Sequence, residues 1–108
     1  MRTLIAALFA FPAAALPAPT FYSGNDVYRL CQEYPASAAT YAIGVLDGDK
    51  ATRHWAGLPE KVCVGSGVSS GQVKDVMCRY LERSPEDRHL AASSLALNAF
   101  EIAWPCPR

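Results

Sequence analysis

The stretch VSSGQVKDVMCRYL, residues 68–81, carries the clearest helix-start signal in the chain. Ser69 and Gln72 have the spacing of a capping box, in which each side chain accepts a hydrogen bond from the other residue's free backbone N–H. Val68 and Val73 provide the matching hydrophobic staple. Apolar residues then recur at helical spacing and form one stripe: Val73, Val76, Met77, Tyr80 and Leu81. This stretch therefore predicts an amphipathic helix that buries one face.

Two more helices are predicted upstream of this stretch. The first is capped by Asn25 and places its apolar residues on one face: Val27, Leu30, Cys31 and Tyr34. Pro35 interrupts it, because the residue before a proline disfavours helical backbone angles. The second helix is predicted over residues 36–46 and ends in an Asp-Gly-Asp sequence, where Gly48 suits a left-handed cap.

Residues 50–67 contain several glycines and a proline, and we predict an irregular loop there. A long loop in a small domain is usually functional or held by a covalent tie. Trp55 and Leu58 are expected to pack beneath the loop, and Cys63 is expected to pin it. Trp55 is also the aromatic residue best suited to be presented outward, because its neighbours on the loop are polar.

A fourth helix is predicted to begin at residues 84–87, SPED, which supply a cap, a proline at the first helical position and acidic residues in the first turn. Residues 90–104 are apolar on most sides and carry Glu101 as their only charge, as expected of a helix in a core. Pro105 ends it. No segment shows strand-like alternation. The predicted fold class is all-α, a small bundle of about four helices tied by up to two disulfides.

Residues 1–18 have the parts of a signal peptide: a positive charge at Arg2, an apolar run over residues 4–16, and small residues that offer alternative cleavage sites. The run is too short to cross about 30 Å of hydrocarbon comfortably, which takes about 20 residues. Residues 19–108 would then form one domain exported to the periplasm, with no membrane segment left after cleavage.

Four cysteines in a short exported chain predict a disulfide framework. Three pairings are open to four cysteines. We favour Cys63 with Cys106, because adjacent antiparallel helices bring the start of the third helix near the end of the fourth. That choice leaves Cys31 with Cys78. Two disulfides contribute about 2–4 kcal/mol each to a domain of this size.

No catalytic, cofactor or metal site is predicted. The two histidines, His54 and His89, are not spaced with the cysteines as zinc ligands are. The sequence around Gly48 lacks the later ligand positions of a calcium loop. Ser69 or Ser70 with a histidine is a weak candidate nucleophile pair, since a lone serine is a weak signal. The net charge of zero gives no reason to expect nucleic acid or an anionic membrane as a partner.

An ordered set of motifs spans most of the chain. Cys31 in the first helix is followed by an aromatic-x-x-Gly segment and an aspartate, residues 41–47, YAIGVLD. Cys63 then leads a loop into the capped helix, and the chain closes on residues 104–106, Trp-Pro-Cys. This order resembles the Tai-type immunity proteins of type VI secretion, which are small exported helical proteins.

Three positions depart from that pattern. Ala38 stands where the family usually has a cysteine, and Cys78 lies inside a helix where no family cysteine is expected. The loop led by Cys63 continues Val-Gly, where the family typically has Ile-Pro. One disulfide is therefore expected to join different helices from those it joins in the family.

The resemblance implies an exported binding protein that blocks a peptidoglycan-cutting amidase in the periplasm and has no catalysis of its own. The same inhibitory role could be directed at a lysozyme-like hydrolase instead of an amidase. The second hypothesis is a different function, that of a periplasmic acid-stress chaperone. A homodimer is left open.

A mixture of polar and aromatic residues is typical of a protein interface. Partner contacts are expected in the loop over residues 47–60 and in the turn over residues 84–88, at Asp49, Lys50, Arg53, His54, Trp55, Glu86 and Asp87.

Overall fold

The computed structural model describes residues 21–108, so the predicted signal peptide lies outside the described residues. Four helices follow one another: α1 (Gly24–Glu33), α2 (Pro35–Ala56), α3 (Ser70–Arg83) and α4 (Ala92–Ala103). Every pair of helices is in contact, and α3 packs most extensively, against α2 and α4. Among the described residues, β-type backbone pairing is limited to two isolated bridges. The structure confirms the predicted all-α bundle and both disulfides, Cys31–Cys78 and Cys63–Cys106.

The capping box at the start of α3 forms as predicted. The Ser69 hydroxyl accepts a hydrogen bond from the Gln72 backbone N–H at 3.2 Å, and the Gln72 side-chain oxygen accepts one from the Ser69 N–H at 2.7 Å. Three residues of the predicted stripe, Val73, Met77 and Leu81, are buried. The local signal in this stretch therefore determined both where α3 begins and which face it buries.

A second capping box begins α1, at a residue other than the predicted one. The Ser23 hydroxyl accepts from the Asp26 N–H at 3.3 Å, and the Asp26 carboxylate accepts from the Ser23 N–H at 2.9 Å. The predicted cap at Asn25 was wrong. The residue three positions after Asn25 is Tyr28, whose side chain has no carboxylate to accept a hydrogen bond from the Asn25 N–H. Ser23 and Asp26 instead each accept a hydrogen bond from the other's backbone N–H, so two free N–H groups are satisfied.

Helix α2 is longer than predicted. It passes through Gly48 and ends at Ala56, where Gly57 takes the left-handed conformation at φ 67° and donates its N–H to the carbonyls of Arg53 and His54. The predicted end at residue 46 was wrong, because a glycine inside a helix costs only about 1 kcal/mol relative to alanine. An ion pair from Asp49 to Arg53, one turn apart, supports the helix beyond that point.

Helix α4 begins later than predicted. Residues 85–89 form turns, and the carbonyls of Arg88 and Leu90 accept hydrogen bonds from the first two N–H groups of α1, at 2.7 and 2.9 Å. The N–H of Ala92 in turn donates to the carbonyl of Tyr22 at 3.0 Å. The predicted start at Ser84 was wrong, because this segment uses its backbone groups to hold α1 rather than to continue a helix.

The core lies where the four helices meet. Its largest fully buried side chains are Val27 of α1, Met77 and Leu81 of α3, and Phe100 of α4. Helix α2 contributes small residues instead, Ala38 and Ala42, both fully buried. Small side chains let helix backbones approach closely, which is how α2 can pack against its neighbours. Three aromatic residues are partly buried against this core: Tyr41, Tyr80 and Trp104.

Candidate partner-binding site

The end of α2 presents an aromatic residue to solvent. Trp55 lies in the last turn of the helix and is 85% exposed, and Leu58, just beyond the helix, is 54% exposed. The His54 ring meets the Trp55 ring edge-on, with centroids 5.6 Å apart. The expectation that Trp55 and Leu58 pack beneath a loop was wrong, because α2 continues through this region and directs both outward. Tryptophan side chains are mostly buried in folded proteins, and an exposed one is a frequent anchor at protein interfaces.

An open hollow of about 610 Å³ lies beside Trp55. Most of its lining comes from the last turns of α2 and the segment after it: Lys50, Ala51, His54, Trp55, Leu58 and Glu60. Lys50 and Glu60 approach to 3.8 Å, and their side chains are 76% and 52% exposed. Exposed ion pairs contribute about 0–1 kcal/mol, so these two charges can exchange partners at little cost. The lining of the hollow thus combines apolar side chains with charged ones, a mixture that is common in protein interfaces.

Arg53 and Asp49 lie on a different side of α2, away from solvent. The Arg53 Nε donates to both carboxylate oxygens of Asp49, at 3.2 and 3.1 Å, and Nη1 donates to the Pro59 carbonyl at 3.2 Å. Their side chains are only 19% and 16% exposed. The pair therefore joins α2 to the segment that follows it, while the neighbouring Trp55 faces outward.

The clearest electrostatic shifts belong to structural groups. The Ser23 N–H, donating to the Asp26 carboxylate, lowers the pKa of Asp26, and burial raises the pKa of the Tyr41 hydroxyl. Among residues 21–108, no group of three or more His, Cys, Asp or Glu side chains is arranged to hold a metal ion. Ser69 is engaged in its capping box.

Comparison with known proteins decides the family. A family model described as Rap1a immunity proteins matches residues 23–106. The chain belongs to the Rap1a immunity protein family. The match begins at Ser23, the cap of α1, and ends at Cys106, so it covers all four helices and both disulfides. No curated protein and no solved structure matches the chain.

Membership in the Rap1a immunity family implies a protein partner, a secreted effector that the immunity protein inhibits. Such families are typically not enzymes. Two disulfides in an immunity protein also indicate an exported chain, because disulfides persist in oxidising compartments. Within the part of the chain that the structure describes, no helix has the length and apolar character needed to cross a membrane.

The seven predicted contact residues fall in three places on the Rap1a fold. Lys50, His54 and Trp55 line the hollow at the end of α2. Asp49 and Arg53 form the partly buried ion pair on α2 and do not line that hollow. Glu86 and Asp87 lie in the turn before α4 and do not line it either. The structure therefore brings three of the predicted residues together on a common surface and places the other four elsewhere.

Sequence reasoning missed Ala51 and Leu58 as parts of this surface. Ala51 follows from the helix boundary, because with Gly57 rather than Gly48 as the left-handed end of α2, residues 51, 54 and 55 fall on adjacent positions of one helical surface. Leu58 lies just beyond that end. Gly57 is followed by Leu58 and then Pro59, and a proline shortly after the cap is itself a helix-end signal.

Proposed function

We propose that this Rap1a-family protein acts in the periplasm, where it binds and blocks a peptidoglycan-cleaving amidase delivered by type VI secretion. The observation that carries the proposal is the outward tryptophan at the end of α2, with Leu58 and an open hollow beside it. The ordered cysteine and aromatic motifs of the sequence support the amidase as target. Residues 1–18 serve as a cleaved signal peptide in this proposal, and residues 19–108 as the active domain.

Trp55 is the anchor of the proposed complex. A tryptophan side chain buries about 150–250 Å². With 85% of Trp55 exposed, its burial in a partner's groove is worth about 3–5 kcal/mol at about 25 cal/mol per Å². The exposed charges of Lys50 and Glu60 in the lining then set the orientation of the complex. An interface of standard size, about 800 Å² per partner, would cover an enzyme's substrate groove without any chemistry by the inhibitor.

Co-production in the periplasm of a bacterial host tests the proposal. A type VI amidase effector of the proposed kind should lyse the host when produced alone, and the immunity protein should restore growth. Trp55→Ala should abolish protection because it removes the anchor. The matched control is Tyr34→Ala, which removes another exposed aromatic side chain, at the junction of α1 and α2. Protection by Trp55→Ala equal to wild type would refute the assigned surface, and lysis despite wild-type protein would refute the amidase.

The same preparation decides among the remaining functions. Inhibition of a lysozyme-like hydrolase but not of the amidase would keep the binding role and change its target. Suppression of client aggregation at about pH 2–3 would instead favour the acid-stress chaperone, whose switch would depend on carboxylates that titrate near pH 4. Sedimentation of the purified protein measures whether it forms the homodimer.

A further inference from the structure

One short segment contributes to the lining of two hollows. Residues 57–64 follow α2, and Leu58 and Glu60 of this segment line the hollow beside Trp55. A smaller hollow of about 270 Å³ is lined by Arg53, Val62, Cys63 and others. Lys50 and Glu60 line both hollows. The position of this segment, the wall segment, therefore sets the shape of the whole candidate surface.

The wall segment has few restraints of its own. Residues 58–61 belong to no helix or bridge. Its backbone bonds near the two ends run from the Leu58 N–H to the Arg53 carbonyl, at 2.9 Å, and from the Cys63 N–H to the Trp104 carbonyl, at 2.8 Å. Segments with few buried contacts and few backbone hydrogen bonds open locally at low free energy. Additional ties must hold this wall if it is to offer one fixed surface.

Arg53 is the tie at the α2 end. Its guanidinium is fixed on α2 by Asp49 and reaches across to the Pro59 carbonyl, at 3.2 Å. Hydrogen bonds from an ionised donor are stronger than neutral ones, and the planar guanidinium can hold both acceptors at once. A lysine at this position would keep the charge but offers a single ammonium in place of the fork.

The Cys63–Cys106 disulfide is the tie at the other end. It joins the wall segment to the residues after α4, whereas Cys31–Cys78 joins α1 to α3. The two bonds span 43 and 47 residues, so each restricts the unfolded chain to nearly the same degree. They differ in what they restrain in the folded protein. Cys63–Cys106 restrains a segment of the candidate surface, whereas Cys31–Cys78 restrains two helices of the bundle.

We propose that Arg53 and the Cys63–Cys106 disulfide are positioning elements for the partner-binding surface, and that this surface becomes competent only when that disulfide has formed. The role as a binding surface rests on the proposed function. Bond formation removes two electrons and two protons from the two thiols, and a disulfide-bearing oxidant in the oxidising compartment accepts them and becomes a dithiol. The chain would then be a poor inhibitor in a reducing cytosol, before export.

Amide hydrogen exchange of the purified protein tests the positioning without any partner. The double variant Cys63→Ser with Cys106→Ser should exchange the amides of residues 58 and 63 about tenfold faster than wild type, while amides in the middle of α3 change less. The matched control, Cys31→Ser with Cys78→Ser, removes a bond of nearly equal span. In this variant the exchange rates of the amides of residues 58 and 63, taken relative to the rates in α3, should stay close to those of wild type. Unchanged exchange at residues 58 and 63 in the first variant would overturn the proposal.

Arg53→Lys provides a second test that leaves both disulfides in place. It should speed exchange of the Leu58 amide, and Arg79→Lys is its control. Arg79 also bonds four residues back, from Nε to the Asp75 carbonyl at 3.3 Å, but it lies on α3. Equal effects of the two lysine substitutions on the Leu58 amide would show that Arg53 does not position the wall segment.

Affinity for the amidase tests the consequence for binding. The variant lacking Cys63 and Cys106 should bind about tenfold or more weakly than wild type, because the disordered wall must be fixed on binding. The variant lacking Cys31 and Cys78 should bind with nearly wild-type affinity wherever it remains folded. Wild-type affinity in the first variant would overturn the proposal. Failure of the wild-type protein to bind the amidase would refute the proposed function instead, and the exchange measurements would still decide the positioning.

Discussion

Gly24 is the position at which the fold tolerates a side chain least. A Cβ atom there would lie 2.6 Å from Leu95 Cδ1 and 2.9 Å from both the Cα and the carbonyl oxygen of Arg88. The backbone on both sides is held, since the Gly24 N–H donates to the Leu90 carbonyl at 2.9 Å. Leu95 could rotate, but two of the close atoms are main-chain atoms and cannot. Gly24→Ala should therefore push α1 away from the turn before α4.

The size of this effect follows from two opposing terms. Adding a methyl group to a tightly packed site costs about 1–3 kcal/mol. Replacing glycine by alanine gains about 0.4–1 kcal/mol by restricting the unfolded chain. The net loss should be about 1–2 kcal/mol. Each kcal/mol lowers the melting temperature of a domain of this size by about 4–8 °C. Thermal unfolding of the oxidised protein, followed by circular dichroism, measures the shift.

Gly48→Ala is the matched control. No neighbouring atom lies within 4 Å of a Cβ at Gly48, and the residue sits inside α2. Alanine there should raise stability by about 0.5–1 kcal/mol, because glycine is a poor residue in a helix interior. The two substitutions should thus shift the melting temperature in opposite directions. A Gly24→Ala protein as stable as wild type would refute the close approach of α1 to the turn over residues 88–91.

Two further predictions concern the helix caps. Ser69→Ala should lower the free energy of unfolding by about 1 kcal/mol, whereas Ser70→Ala, one residue further on, should change it little, which denaturant titration measures. The Ser23 N–H, which donates to the Asp26 carboxylate, lowers the pKa of Asp26 below its ordinary 3.8. The stability that this bond contributes is therefore present above pH 3.8 and is lost as the pH falls through the pKa of Asp26 in the folded state. Asp26→Asn should therefore flatten the acid limb of the stability–pH curve.

Local signals predicted the parts of this fold that depend on local chemistry. The capping box at Ser69 and the apolar stripe after it needed no distant partner, so the start and buried face of α3 were correct. The pairing of Cys63 with Cys106 followed from the antiparallel packing of α3 and α4. Residues 84–87 also gave a local helix-start signal, but the prediction from it was wrong, because the backbone at Arg88 and Leu90 bonds to α1, far away in sequence.

For the candidate site, the sequence indicated some of the residues but not the direction in which each side chain points. Lys50, His54 and Trp55 were expected in one region, and they do line one hollow. Sequence reasoning could not tell that Arg53 turns inward while Trp55 turns outward, because that distinction needs the helical register of α2. The register was lost when the helix was ended at Gly48. The signal that favoured Gly57 was Pro59, two residues after it, since a proline shortly after the cap cannot continue the helix.

The most direct test of the proposed function is calorimetric titration of a type VI amidase effector with the oxidised, purified protein. We predict a saturable complex that inhibits peptidoglycan cleavage. Affinity should fall about 30-fold or more for Trp55→Ala, the equivalent of about 2 kcal/mol for an interface anchor, and should stay unchanged for Tyr34→Ala. Equal affinities for Trp55→Ala and wild type, or tight binding that leaves the amidase active, would contradict the account.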